Sequence, residues 1–137
     1  YYIQKIENEE FSKQIEIYNT VLKAQETSLS VLKEGVKCSD ADKAARDVIK
    51  NAGYGEFFGH STGHGVGIEI HESPNLAPKS KAVLKTGNVV TVEPGIYIPD
   101  EFGVRIEDFV VITENGYRNL TSSPKELISS ILIIPIT

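Results

Sequence analysis

The sequence predicts an α+β domain in which two amphipathic helices come first and a curved, mainly antiparallel sheet follows. Three observations carry that expectation. Residues 11–32 repeat apolar side chains at spacings of three and four. After Gly53 the helical period gives way to glycines and alternating β-branched residues. Asn115-Gly116 then falls between two β-rich runs, a strong hairpin signal.

In the first helix Phe11, Ile15, Tyr18, Leu22, Gln25, Leu29 and Leu32 form one stripe, with Gln25 its only polar member. Gly35 is the expected stop. Ser39 is the expected N-cap of the second helix, with Asp40 and Asp42 in the first turn, where carboxylates favour the helix dipole. Ala41, Ala44, Ala45, Val48 and Ile49 make its apolar face, and Gly53 ends it. Val66, Ile68 and Ile70 alternate like a strand. Val89, Val90 and Val92 form the next strand, closed by Pro94-Gly95. A third strand covers 104–113 and turns through 114–116 into 117–120. The apolar tail 127–136, broken by Ser129, Ser130 and Pro135, reads as a buried strand or a docking tail.

At 137 residues the chain is sized for one domain with its own core. Its net charge of -5 argues against nucleic acid as a partner, because phosphate binding needs a basic surface. One cysteine, Cys38, allows no internal disulfide and suits a reducing cytoplasm. No apolar run is long enough to span a membrane as a helix. The chain has no methionine and opens on Tyr1-Tyr2, so a piece of a longer protein is expected.

Three segments concentrate the side chains that can bind metal or move protons: GHSTGHGVGIEIHE at 59–72, VVTVEPGIYIP at 89–99 and GVRIEDFVVIT at 103–113. All three histidines, His60, His64 and His71, fall in the first. His60 and His64 have the spacing of a helical metal pair, but Gly63, Gly65 and Gly67 would each weaken a helix by about 1 kcal/mol relative to alanine. The glycines suit a chain that turns sharply beside a ligand. The alternative is a set of loop histidines with local hydrogen bonds. Glu93 ends an apolar strand, a common place for chemistry and also for a plain exposed carboxylate. Arg105 and Glu107 share one strand face, which serves equally as a solvated surface. Together, one imidazole and two carboxylates suit Mn, Co, Zn or Fe over copper. A pair of divalent ions would want two further carboxylates, and no aspartate pair in this chain completes the set.

These three segments, in this order and spacing, resemble the C-terminal half of the catalytic domain of the pita-bread metallopeptidases, the bacterial Xaa-Pro peptidases above all. That family includes methionine aminopeptidase, Xaa-Pro aminopeptidase, prolidase and the non-peptidase creatinase. The resemblance covers nearly all of 1–137. It implies a metal-ligand histidine at His64 and metal-ligand glutamates at Glu93 and Glu107, with Glu107 bridging two ions and Glu93 helping to activate the bridging water. It implies substrate-facing or proton-handling roles for His60 and His71, a substrate- and carboxylate-orienting role for Arg105, and a site wall at Tyr97. The implied cofactor is a pair of divalent ions, Mn first, with Co, Zn or Fe as alternatives. The implied substrate is a peptide with proline at its second position.

The family also uses two aspartate ligands upstream, which match nothing here, and Xaa-Pro members carry an N-terminal domain that is likewise unmatched. Residues 1–6 are expected to continue the strand that leads from the second aspartate. The expectation is therefore a chain that is inactive alone, whether metal-free or holding one ion, with an open strand edge that favours a homo-oligomer. Two rivals stand beside the peptidase reading: a metal-free scaffold, and a creatinase-like C–N hydrolase.

Overall fold

The computed structural model of the chain describes residues 9–127. The expected strand at 1–6, the Phe11 side chain and nearly all of the apolar tail lie outside what is described. Helix α1 (Glu9–Val31) and helix α2 (Cys38–Asn51) pack on each other and on a five-stranded antiparallel sheet. The strands are β1 (Gly63–Gly65), β2 (Glu72–Leu76), β3 (Val89–Val92), β6 (Asp108–Thr113) and β7 (Gly116–Asn119), in the order β2-β1-β3-β6-β7. A separate hairpin joins β4 (Gly95–Ile98) to β5 (Phe102–Arg105). Among the described residues no helix is long and apolar enough to cross a membrane.

The α+β expectation holds, with local corrections. The buried stripe of α1 is rotated from the expected one. Ile17, Val21, Ala24, Gln25 and Ser28 are fully buried, while Ile15, Tyr18 and Leu22 are only half-buried. Small side chains explain the rotation, because Ala24 and Ser28 let α2 approach closely. Ser28 Oγ donates to the Ala41 carbonyl at 2.9 Å, and Ala41 and Ala45 are buried on the facing helix. Helix α1 stops at Val31, short of Gly35. Lys37, not Ser39, occupies the N-cap of α2, without a side-chain cap bond.

The strand expected at 66–70 is a loop between β1 and β2, and its Ile68 and Ile70 are exposed. The expected strand at 104–113 is two strands, β5 and β6, parted at Ile106 and Glu107. The facing segment breaks at the same level, at Glu93-Pro94, where proline has no N–H to give a ladder. The β3–β6 ladder therefore ends at Val92↔Asp108, and the β4–β5 ladder starts at Gly95↔Arg105. The hairpin into β7 forms as expected, with Thr113 paired to Gly116 across Glu114-Asn115.

Side-chain alternation sorts the sheet into two faces. Val90, Val92, Val110 and Ile112 are buried with Leu29 and Leu32 of the α1 side, and each such burial contributes about 1.5–3 kcal/mol. Thr91, Glu93 and Phe109 take the opposite phase and face away from the helices. A second apolar cluster, with Ile17, Val21, Ile49, Phe58, Ile96 and Ile106, seats the β4–β5 hairpin on the helices.

Candidate functional site

Strand β1 lies hard against β3. A Cβ at Gly63 would fall 1.9 Å from the Thr91 carbonyl oxygen, so only glycine permits the approach. This brings His64 over the face that carries Glu93. The His64 N–H donates to Thr91 Oγ1 at 3.0 Å, and the Thr91 hydroxyl, with its one proton, donates to Glu93 Oε1 at 2.9 Å. His64 Nδ1 lies 3.0 Å from the Gly65 carbonyl, which can only accept, so Nδ1 carries a proton. His64 Nε2 then faces Glu93 Oε1 at 3.1 Å. With Nε2 unprotonated the lone pair would face that carboxylate, an arrangement that a cation between them, proton or metal ion, relieves.

Glu107 joins Glu93 from the break between β5 and β6. Arg105 Nε stands 3.7 Å from Glu93 Oε2 and 3.9 Å from Glu107 Oε2. Those distances and a half-exposed guanidinium make the compensation loose. Burial, and then the neighbouring Glu93 charge, push the Glu107 carboxyl above its ordinary value, against the opposing pull of Arg105 and His64. Hydrogen bonding with Tyr97 leads the causes that raise Arg105, with the two glutamates adding to it.

His64, His71, Glu93, Arg105 and Glu107 line one cleft of 360 Å³, with Val66, Ile68, Ile70 and Phe109 as its apolar wall. The His71 ring lies 4.3 Å from the His64 ring. Two expected site residues stand outside this lining. His60 Nδ1 donates to the Ser61 carbonyl at 2.7 Å, so its Nε2 accepts from the Tyr97 hydroxyl at 2.9 Å. The pair stands apart from the residues that line the cleft. A larger hollow of 760 Å³ near the end of α1 has, among the described residues, Lys33 as its one charged side chain and no carboxylate or imidazole.

Behind the histidine segment, Arg46 makes a bidentate pair with Asp42, both bonds 2.8 Å, and donates to the Phe58 and His60 carbonyls at 3.0 and 2.8 Å. Asp42 Oδ1 also accepts from the Thr62 N–H and hydroxyl. Sequence reading missed both this pair and Thr91. The i,i+4 spacing of Asp42 and Arg46 and the i,i+2 spacing of Thr91 and Glu93 were the available signals.

The donor chemistry fits a hard-to-borderline divalent cation: an imidazole nitrogen with its other nitrogen pinned, and two carboxylates short of positive charge. Among the described residues, however, no three His, Cys, Asp or Glu side chains already form a closed metal cluster. None of the five aspartates lines the cleft.

The model of metallopeptidase family M24 matches residues 3–114. The chain belongs to metallopeptidase family M24. An uncharacterised peptidase of Bacillus subtilis is 58% identical over 113 residues, covering 82% of this chain and 32% of that protein. An Xaa-Pro dipeptidase of Pyrococcus furiosus is 53% identical over 116 residues, covering 85% and 33%. Among solved structures, an Xaa-Pro dipeptidase from Bacillus anthracis superposes with a TM-score of 0.83 at 56% identity, covering 85% of this chain and 33% of that one. The prolidase from Pyrococcus horikoshii gives 0.83 at 50%, covering 85% and 34%. The M24 chain thus has the pita-bread fold of its relatives, as its motifs led one to expect, and spans about a third of the length of the curated relatives it matches.

Proposed function

We propose that the M24 chain carries the histidine–glutamate share of a divalent metal site, and that the whole protein hydrolyses the Xaa-Pro bond of peptides with proline second. The observation that carries this reading is the meeting of His64, Glu93 and Glu107 on one cleft, with Nε2 of His64 turned to a carboxylate. The relatives that are Xaa-Pro dipeptidases support the substrate class.

His64, Glu93 and Glu107 would hold metal, and Mn is the first ion to test. Metal bound there supplies a Lewis acid and an acidified water. The chain's own residues do the rest. Glu93, its Oε1 engaged by Thr91, accepts a proton from the water that attacks the carbonyl carbon and returns it to the proline nitrogen as the C–N bond breaks. Arg105 orients Glu93 and Glu107, and the hydrogen-bonded Tyr97 and His60 form a site wall for the substrate. His71, exposed on the same cleft, donates to the oxyanion of the attacked carbonyl.

The test is hydrolysis of an Xaa-Pro dipeptide by the whole protein with Mn, beside longer Xaa-Pro peptides, Met-peptides and creatine. Turnover of an Xaa-Pro substrate, lost in His64→Ala and Glu107→Ala, is the expected result. Activity on creatine alone, or full activity in both variants, overturns the reading.

A further inference from the structure

Gln25 is the one polar residue in the stripe of α1 expected from the sequence; it is fully buried, and the site as described makes no use of it. Its Nε2 donates two hydrogen bonds, each 3.1 Å, to the carbonyls of Val92 and Ile106. These residues immediately precede Glu93 and Glu107. The place is the gap between two ladders, one ending at Val92↔Asp108 and the other starting at Gly95↔Arg105. Across that gap a single side-chain amide spans the two chain segments.

The geometry is demanding. An amide has two N–H bonds in one plane, and both are used on carbonyls of different segments. The opposite amide orientation would set Oε1 against two carbonyl oxygens, so Nε2 has to face them. Oε1 in turn is buried with no hydrogen-bond partner among the described residues. An apolar side chain would avoid that orphan acceptor but would take the amide donor away from both carbonyls. Pinning the carbonyl of the residue before each glutamate fixes where each carboxylate departs from the backbone.

We infer that Gln25 is a positioning residue that sets the separation of the Glu93 and Glu107 carboxylates, an inference that rests on the metal-site reading above. It acts from the helix side of the sheet, through backbone, on groups that face the cleft on the other side.

The experiment is Mn titration of the whole protein by calorimetry, with circular dichroism to check the fold. Gln25→Met keeps the length and removes both donors; Mn binding about tenfold weaker is expected, as for loss of a group that orients a ligand. Gln25→Glu keeps the shape and offers at most one donor hydrogen, so it too should bind Mn more weakly, and it decides the matter if Gln25→Met does not fold. Val21→Ala, one turn earlier and equally buried, is the control for general loosening. Wild-type Mn affinity in the folded Gln25 variants overturns the inference, as does an equal loss of affinity in Val21→Ala at a matched fall in Tm. Glu107→Ala separates the two levels. If wild type binds Mn, Glu107→Ala does not, and the Gln25 variants are unchanged, the positioning inference alone falls. If wild type binds no Mn, the metal-site reading falls and this inference with it.

Discussion

Thr91 Oγ1 lies 2.9 Å from Glu93 Oε1, two residues along one chain, and the same oxygen accepts the N–H of His64 at 3.0 Å. The backbone N–H can only donate, so the hydroxyl proton is committed to the carboxylate. One buried hydroxyl therefore ties the histidine strand to the glutamate strand and fixes the direction of both bonds.

Thr91→Val keeps the shape and deletes both bonds. Leaving the His64 N–H and Glu93 without this partner should cost about 1–3 kcal/mol of stability. Mn affinity should fall by roughly tenfold or more, as for loss of an outer partner of a ligand. Thr91→Ser should restore most of both. Thermal melts and calorimetry check this, and a valine variant with wild-type Mn affinity would show that the hydroxyl is dispensable.

Glu107 gives a pH prediction for the metal-free protein. Its carboxyl is raised above the ordinary 4.5, first by burial and then by Glu93. Between 4.5 and its folded value the native state holds more protons than the unfolded chain, so stability falls as pH rises through that window. Above its folded value the full cost is present. Glu107→Gln removes it and gives up only a loose contact with Arg105. The variant should melt above wild type at pH 7 without metal, and the gap should close as pH falls towards 4.5. Added Mn should reverse the order, since an ion at 100 times its Kd stabilises by about 2.7 kcal/mol. A gap that widens on acidification would contradict this.

The Asp42–Arg46 pair should matter through the segment it holds. The Asp42 side chain is 1% exposed, against 26% for Arg46. Arg46→Ala strands a buried carboxylate and frees the Phe58 and His60 carbonyls, which should cost about 3–5 kcal/mol. Hydrogen exchange should speed up at the Thr62 and His64 amides before it does in β6–β7. Uniform acceleration across the sheet would instead indicate a global loss of stability with no local role.

The helices were legible because their signal is local. The stripe of α1 was misplaced because Ala24 and Ser28 look like neither core nor surface until α2 is packed on them. Val66, Ile68 and Ile70 alternate like a strand, yet they form a wall of the cleft, and no sequence period separates the two. The break at Ile106 was hard to see because Val104 and Ile106 share a period-two phase with Val110 and Ile112, and the one interruption, Asp108, reads as a single polar residue in a continuous strand, while the facing break at Pro94 was visible. His64, Glu93 and Glu107 stood out by residue type. Their separation did not, because Thr91, Gln25 and a ladder gap set it, and each of these is a contact between segments distant in sequence.

The 137 residues alone should not turn over an Xaa-Pro dipeptide. The cleft offers one imidazole and two carboxylates to metal, with His71 beside them. Two divalent ions need more negative charge than Glu93 and Glu107 bring, and the chain's aspartates do not line the cleft. Asp42 is committed to Arg46 and Thr62, Asp47 to Lys43, and Asp108 to Lys125 and Asn119. One weakly held ion should therefore bind, sensitive to Glu107→Ala, without the second ion that a shared, acidified water requires. The measurement is Mn binding and dipeptide hydrolysis on the purified chain, with Glu107→Ala alongside. Turnover matching that of an intact Xaa-Pro dipeptidase, abolished in the variant, would mean that these residues assemble a complete site by themselves and that the charge count is wrong.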